Sequence, residues 1–214
     1  MKRLLVLFTA TALALTASAA VETYKFDPAH SSVAFTVRHV FSQVPGSFAK
    51  VQGTIVVDRE HMTKSSVDVT IDVTSLTTNN EKRDNHLRSD AFFDVAKFPT
   101  ATFKSTSWTE ADDDVYDVAG DLTIKGVTKP TTIHVMVLGF GPGMAPGTMV
   151  SGWRATVGLK RSDFGVNGPA MLGKAIGDDV VVTADVEADL VKSETPAAAA
   201  DAPKPDPAKS DAQK

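Results

Sequence analysis

Two features of the sequence predict an all-β fold of about eight antiparallel strands: period-two alternation of apolar and polar residues, and short polar connections between the alternating segments. Alternation is clearest in VDVTIDVT, where Val67, Val69, Ile71 and Val73 fall on one side and Asp68, Thr70, Asp72 and Thr74 on the other. Successive strand side chains point to opposite faces, so this segment has one apolar face and one wet face. The connections DREHMTK, EADDD and KGVTKP suit antiparallel hairpins and are too short for helical crossovers.

Taken in order, the alternation reads as strands over Val33–Phe41, Val51–Asp58, Val67–Thr74, Ala101–Trp108, Tyr116–Ile124, Ile133–Gly139, Trp153–Leu159 and Val180–Leu190, weakest at Ala101–Trp108. One stretch breaks the rhythm. NEKRDNHLRSDAFFD, Asn80 to Asp94, can be capped by Asn79 or Asn80. Glu81 follows in the first turn, where a helix favours an anion, and Asp84 stands four residues before Arg88. A short helical segment around Asn80–Phe93 is therefore expected, with Ser89-Asp90 capping a further turn that carries Phe92 and Phe93. Pro99 then returns the chain to a strand.

The two ends differ from this middle. Lys2 and Arg3, the apolar stretch Leu4 to Leu15 and the small residues Ala17-Ser18-Ala19-Ala20 read as a secretory signal peptide over 1–20. Residues 193–214 are rich in Ala, Pro, Lys and Asp, lack large apolar residues and read as a disordered tail. Residues 21–192 are expected to form one domain. Removing Lys2 and Arg3 takes the formal charge from −4 to −6, so no basic footprint suggests nucleic acid or an anionic membrane surface. No later apolar run is long enough to span a bilayer, so stable membrane insertion is not expected. Cysteine is absent, and the fold must rest on its core although export would permit disulfides.

Eight strands with one apolar face can form a sandwich or a closed barrel, and pattern alone leaves both open. The apolar face includes small residues (Gly53, Gly120, Ala155, Ala184, Ala188), which in a barrel would leave internal room. Parity places His39 with Val33, Phe35 and Val37, and Arg38 on the opposite side. DPAHSS groups Asp27, His30 and Ser31, but adjacency is poor evidence for a triad, and an Asx or Ser turn leading into the first long strand is the simpler reading. The five histidines form no H-x-H or H-E-x-x-H pair, so no metal is expected. GFGPGMAPG, Gly139 to Gly147, reads as a hairpin tip that could serve as a lid.

Four ordered segments then carry a resemblance: YKFDPAHSSVAFTVRHVFSQVPGSF, NNEKRDNHLRSDAFFDVAKFPTATFKS, GDLTIKGVTKPTTIHV and RSDFG. Together they resemble the signature segments of the YceI-like family across almost the whole expected domain. The resemblance implies an eight-stranded antiparallel lipocalin-like barrel, exported to the periplasm, holding a long isoprenoid or similar amphiphile. On that reading His39, Arg83, His86 and Arg88 are the head-group candidates at a polar mouth. Val33, Phe35, Val37, Val69, Ile71, Phe92, Phe93, Leu122 and Trp153 would line or gate the cavity. A structural alternative is preferred for the helical segment: Asp84 and Arg88 as a surface pair, His86 as a half-buried cap, and Phe92 and Phe93 as a plug.

The expected activity is non-enzymatic binding, storage or transport of a polyisoprenoid or isoprenoid quinone, with no catalytic residues and no cofactor besides that ligand. The alternatives are an enzyme using His30, His39 or His86, and a scaffold whose tail recruits a partner; homodimerisation stays open.

Overall fold

The computed structural model describes residues 21–173 and 175–194. The expected signal peptide and almost all of the expected tail lie outside the described residues. Strands β1 (Val21–Phe26), β2 (Ser32–His39), β3 (Ser42–Phe48), β4 (Val51–Asp58), β5 (Ser66–Asp72), β6 (Leu76–Thr77), β7 (Thr100–Asp112), β8 (Val115–Ile124), β9 (Val127–Pro142), β10 (Met149–Lys160) and β11 (Ile176–Glu194) form one antiparallel sheet. The order β1-β4-β5-β7-β8-β9-β10-β11 returns to β1, so eight strands close a barrel. Among the described residues one α-helix, α1 (Glu81–Arg88), and four short 3-10 turns interrupt them.

The number of ring strands agrees with the sequence, but their membership shifts. β1 takes the ring position that the sequence assigned to Val33–Phe41. The cause is the length of β11, whose residues 188–194 pair with β1 while 176–185 pair with β2. β2 and β3 therefore extend the wall at one end only. β3 escaped sequence reading because Pro45 and Gly46 speak against a strand; beyond β2 it meets only β6, through Ser47 and Phe48, so its proline occupies an edge. β11 also runs two residues past the expected domain limit.

Antiparallel order gives the barrel two distinct ends. At one lie the β2–β3 and β8–β9 turns, α1 and the segment from Arg161 to Ala175; at the other lie the β7–β8 and β9–β10 turns. Asn80 caps α1 by accepting the Arg83 N–H (3.0 Å), and the helix stops at Arg88. Turns then carry Phe92 and Phe93, with the Phe92 N–H bonded to the Ser89 carbonyl (3.1 Å).

Bulges explain where alternation failed. The β7–β8 register slips between Ser105 and Ser107, which returns Trp108 to the inner face despite its opposite parity to Phe103. A second slip beside Trp153 brings Phe140 against the inward Trp153 and Tyr24 despite its opposite parity to Val137.

The inward glycines do not leave empty space. A Cβ on Gly53 would lie 2.7 Å from the Phe26 ring, and one on Gly120 would lie 2.4 Å from the Lys104 carbonyl oxygen and 2.6 Å from the Phe103 ring. Neighbouring aromatic rings cover the bare backbone there. Gly120→Ala should therefore cost about 1–3 kcal/mol through overpacking, measured as a lower urea midpoint with unchanged slope.

Candidate functional site

The ring encloses a cavity of about 630 Å³, within the usual range of ligand sites of about 300–1,000 Å³. Its wall is almost wholly aliphatic and aromatic. The expected lining residues Val33, Phe35, Val37, Val69, Ile71, Phe92, Phe93, Leu122 and Trp153 all face it, joined by Phe26, Phe48, Phe103 and Trp108, which sequence reading did not single out. Alternation accounts for the strand positions, because every second residue of β5 from Val67 to Ile71 points inward, and Val73 beyond it does too.

The two ends of the cavity differ chemically. At one end Trp108 and Trp153 meet edge to face (centroids 6.1 Å), and Phe140 packs on Trp153 (5.5 Å) and Tyr24 (5.7 Å). Arg59 covers this base, 4.1 Å above the Phe140 ring, and its Nε donates to Glu22 (2.7 Å). Burial raises the Tyr24 hydroxyl pKa, an effect the Arg59 hydrogen bond only partly opposes. The Gly139–Gly147 hairpin supplies Phe140 to this closed base, so the expected lid does not stand at the polar end.

Every polar lining residue lies at the other end: Arg38, His39, Thr78, Asn80, Lys82, Arg83, His86 and Arg161, with no carboxylate among them. Trp153 and Arg161 are separated by eight residues of chain, roughly 26 Å at about 3.3 Å per residue, which separates the aromatic base from the basic mouth. His39, Arg83 and His86 sit where expected. Arg38 also reaches the cavity, contrary to its parity, because the strand ends there and its guanidinium turns to donate to the Val40 carbonyl (2.8 Å). Lys82 and Arg161 follow from no apolar pattern and were not singled out, although both lie in segments that carry the family resemblance.

Arg88 does not line the cavity. Its Nε donates to the Thr74 carbonyl (3.0 Å) and its Nη2 to the Leu76 carbonyl, so it ties α1 to the preceding connection. Arg83 shares that task, donating to the Thr78 hydroxyl (2.7 Å) and carbonyl (2.9 Å) while also facing the void. Asp84 is no surface partner of Arg88. It is buried and accepts from the Thr78 N–H (2.8 Å), the Thr78 hydroxyl and the Thr77 hydroxyl (3.2 Å). Burial pushes its carboxyl pKa up, but these donors outweigh burial and hold it below the usual range. His86 is exposed and stands edge to face on Phe92, centroids 5.0 Å apart. Phe92 itself is buried under Gly168, while Phe93 meets Phe48 edge to face.

Arg161 organises the rest of the mouth. Its guanidinium donates to the carbonyls of Gly177 (2.8 Å), Val166 (2.9 Å), Asn167 (2.6 Å) and Ile176 (3.2 Å), pinning the segment that brings Phe164 and Val166 over the void.

His30 lies on an exposed turn outside the cavity. As expected, Asp27 forms an Asx turn with the Ala29 N–H (2.7 Å). The hydrogen bond that His30 Nδ1 donates to the Asp27 carboxylate (2.6 Å) holds the imidazole pKa above its ordinary value. Asp27, His30 and Glu187 bring one potential ligand atom each within 4.8 Å of one another, open to solvent. Ser31 donates to the Glu187 carbonyl instead of joining a triad (3.0 Å).

The model of the YceI-like domain matches residues 24–188. The chain belongs to the YceI-like family. Protein YceI of Salmonella arizonae is 39% identical over 177 residues, covering 79% of this chain and 92% of the relative. The Burkholderia cenocepacia BcnA crystal structure aligns with a TM-score of 0.67 at 25% identity, covering 76% of this chain and 98% of BcnA. A polyisoprenoid binding domain from Saccharophagus degradans shares the fold, with a TM-score of 0.58 at 15% identity, covering 79% of this chain and 99% of that domain. In this YceI-like barrel, the segments that carry the resemblance converge mainly on the basic end: β2 and β3, α1 with its following turns, the β8–β9 hairpin and the Arg161 knot.

Proposed function

We propose that this protein binds, stores or carries a long-chain polyisoprenoid or isoprenoid quinone, with the chain along the barrel axis and the head group at the basic mouth. The observation that carries this reading is the apolar void of about 630 Å³ whose polar residues are confined to one end. The Saccharophagus degradans domain, a polyisoprenoid binding domain of the same fold, supports it. Burying apolar carbon contributes about 0.8 kcal/mol per CH₂, so each five-carbon unit adds roughly 4 kcal/mol before ordering costs. Chain burial thus supplies affinity, while the mouth supplies orientation and head-group choice. The charged and apolar start of the sequence supports transport within the periplasm.

The role is non-catalytic in this reading, with no cofactor. His39 and His86 at the mouth motivate the enzymatic alternative, which turnover of an amphiphile abolished by replacing both imidazoles would favour.

Organic extraction of purified protein followed by mass spectrometry tests the binding reading. A prenyl lipid should be recovered, and a barrel that stays empty when offered prenyl diphosphates and quinones overturns it. Lys82→Ala with Arg83→Ala should weaken a prenyl diphosphate about 10- to 100-fold more than a quinone, since a hydrogen bond to a charged group contributes about 1.5–3 kcal/mol. Arg88→Ala should not discriminate between them. Equal losses for both ligands in the Lys82/Arg83 variant would remove charge from head-group selection.

A further inference from the structure

We propose that the open end of the barrel docks on an anionic lipid bilayer, with Phe41 and Met171 entering the head-group region. The idea rests on the reading of the cavity as a lipid site and adds the route by which the guest enters. β2 and β3 are joined by two residues, Val40 and Phe41, after the last pair His39–Ser42. Such a connection favours Asn and Gly, because its backbone visits positive φ. Here a β-branched residue occupies that position: Val40 has φ 51°, which is sterically unfavourable for valine.

Phe41 next to it is 101% exposed, so the unfavourable turn gains no packing. The tip is nonetheless held firmly. The Val40 N–H donates to the Ala175 carbonyl (2.7 Å), and Arg38 donates to the Val40 carbonyl (2.8 Å). A bulky apolar pair kept in water against local preference marks a functional surface.

Met171, 86% exposed, stands on the segment that supplies Ala175, so both apolar side chains belong to one rim. The neighbouring Leu172 and Ile176 line the cavity, as do Arg38 and His39, which makes the rim continuous with the void. The charge at this end suits an anionic surface. Arg38, Lys82, Arg83 and Arg161 border the opening; among the acids at this end Asp179 pairs with Lys160, Asp163 with Lys129 and Asp94 with Lys97, while Asp178 accepts from Ser162 and Glu81 and Asp90 are exposed. A local basic rim attracts anionic lipid although the chain as a whole is acidic. Proteins that lie on a bilayer bury Trp, Phe and Leu side chains at the boundary of head groups and acyl chains, and Phe41 supplies one.

The test uses protein beginning at Val21, whose ring and core close within the described residues, so that the apolar stretch Leu4–Leu15 does not itself partition. Binding to phosphatidylcholine vesicles with and without phosphatidylglycerol is measured by flotation, alongside extracted ligand content. The protein should bind the phosphatidylglycerol vesicles and release them at high salt. Phe41→Ser with Met171→Ser should reduce partitioning at least about tenfold, because each buried large apolar side chain is worth a tenfold or greater change. Met144→Ser provides the control. Met144 is 105% exposed on the hairpin at the closed end, and its loss should change nothing.

Affinity for a prenyl lipid offered in detergent, where no bilayer is involved, should stay constant across all variants, because neither Phe41 nor Met171 lines the void. Unchanged partitioning in the double variant, or an equal loss with Met144→Ser, overturns docking and leaves the cavity reading intact. Tip-dependent self-association without vesicle binding makes the occupant a second copy and also overturns it. Tip-dependent vesicle binding by a barrel that never yields ligand upholds docking and removes the lipid-carrier reading.

Discussion

Ala155→Trp combined with Ala184→Leu empties the barrel of its guest: extracted ligand should fall at least about tenfold relative to the unsubstituted protein. Ala155 and Ala184 are direct cross-strand partners on β10 and β11, and both side chains face the void. Larger apolar groups there occupy the space of the ligand chain, removing the burial that supplies about 0.8 kcal/mol per CH₂. Because they fill a void instead of a packed core, the overpacking cost stays at or below about 1–3 kcal/mol, and the thermal transition should remain cooperative. Ala34→Trp, on the exposed face of β2, adds comparable bulk outside and should leave ligand content unchanged. Undiminished ligand in the inward variant would place the guest somewhere other than the barrel interior.

Asp84→Ala should produce the largest loss of stability among polar substitutions in this region, roughly 2–3 kcal/mol. Removing the carboxylate strands the buried Thr78 N–H and frees the Thr77 and Thr78 hydroxyls, and an abandoned buried donor costs about 1–3 kcal/mol. For a domain of this size the melting temperature should drop by roughly 4–12 °C. The effect is pH-dependent in a definite direction. Hydrogen bonding holds the Asp84 carboxyl below its usual range against the opposing effect of burial. Its stabilising contribution is therefore complete above the unfolded value of about 4 and disappears as pH falls through the lower folded value. Melting curves of Asp84→Ala and the unsubstituted protein should differ most near neutrality and converge in acid. A gap that persists or widens in acid would show that Asp84 acts through packing alone.

The wall of the cavity was largely legible before the fold was seen. Val67, Val69 and Ile71 line it because a strand side chain has only two directions, and Val73, in the 3-10 turn just past β5 where the sequence had extended the strand to Thr74, continues the row. A cap at Asn79 or Asn80 was equally legible, since the preference is local, and the structure uses Asn80. Trp108 was not: a bulge between it and Phe103 reverses its parity, and a bulge has no period to detect. Gly53 and Gly120 misled for a related reason. Their vacant side-chain positions are filled by Phe26 and Phe103, so a small residue and an empty volume are different things.

The mouth shows the division most sharply. Arg83 and Arg88 belong to one short helix, yet Arg83 borders the void while Arg88 binds carbonyls of the preceding connection. Asp84, which helical spacing pairs with Arg88, turns into the protein to collect threonine donors. Arg161 gathers four carbonyls from a segment that folds back on it, a contact that depends on the path of the chain.

Alone, then, the sequence determined the strand faces, the interrupting helix and the apolar character of the interior, all of which follow from side-chain period and short-range backbone preference. Tertiary structure decided that β1 closes the ring, that the polar lining gathers at one end, and which arginines face the void. Those outcomes depend on strand pairing and chain return between residues far apart in sequence, and local periodicity contains no information about such distances.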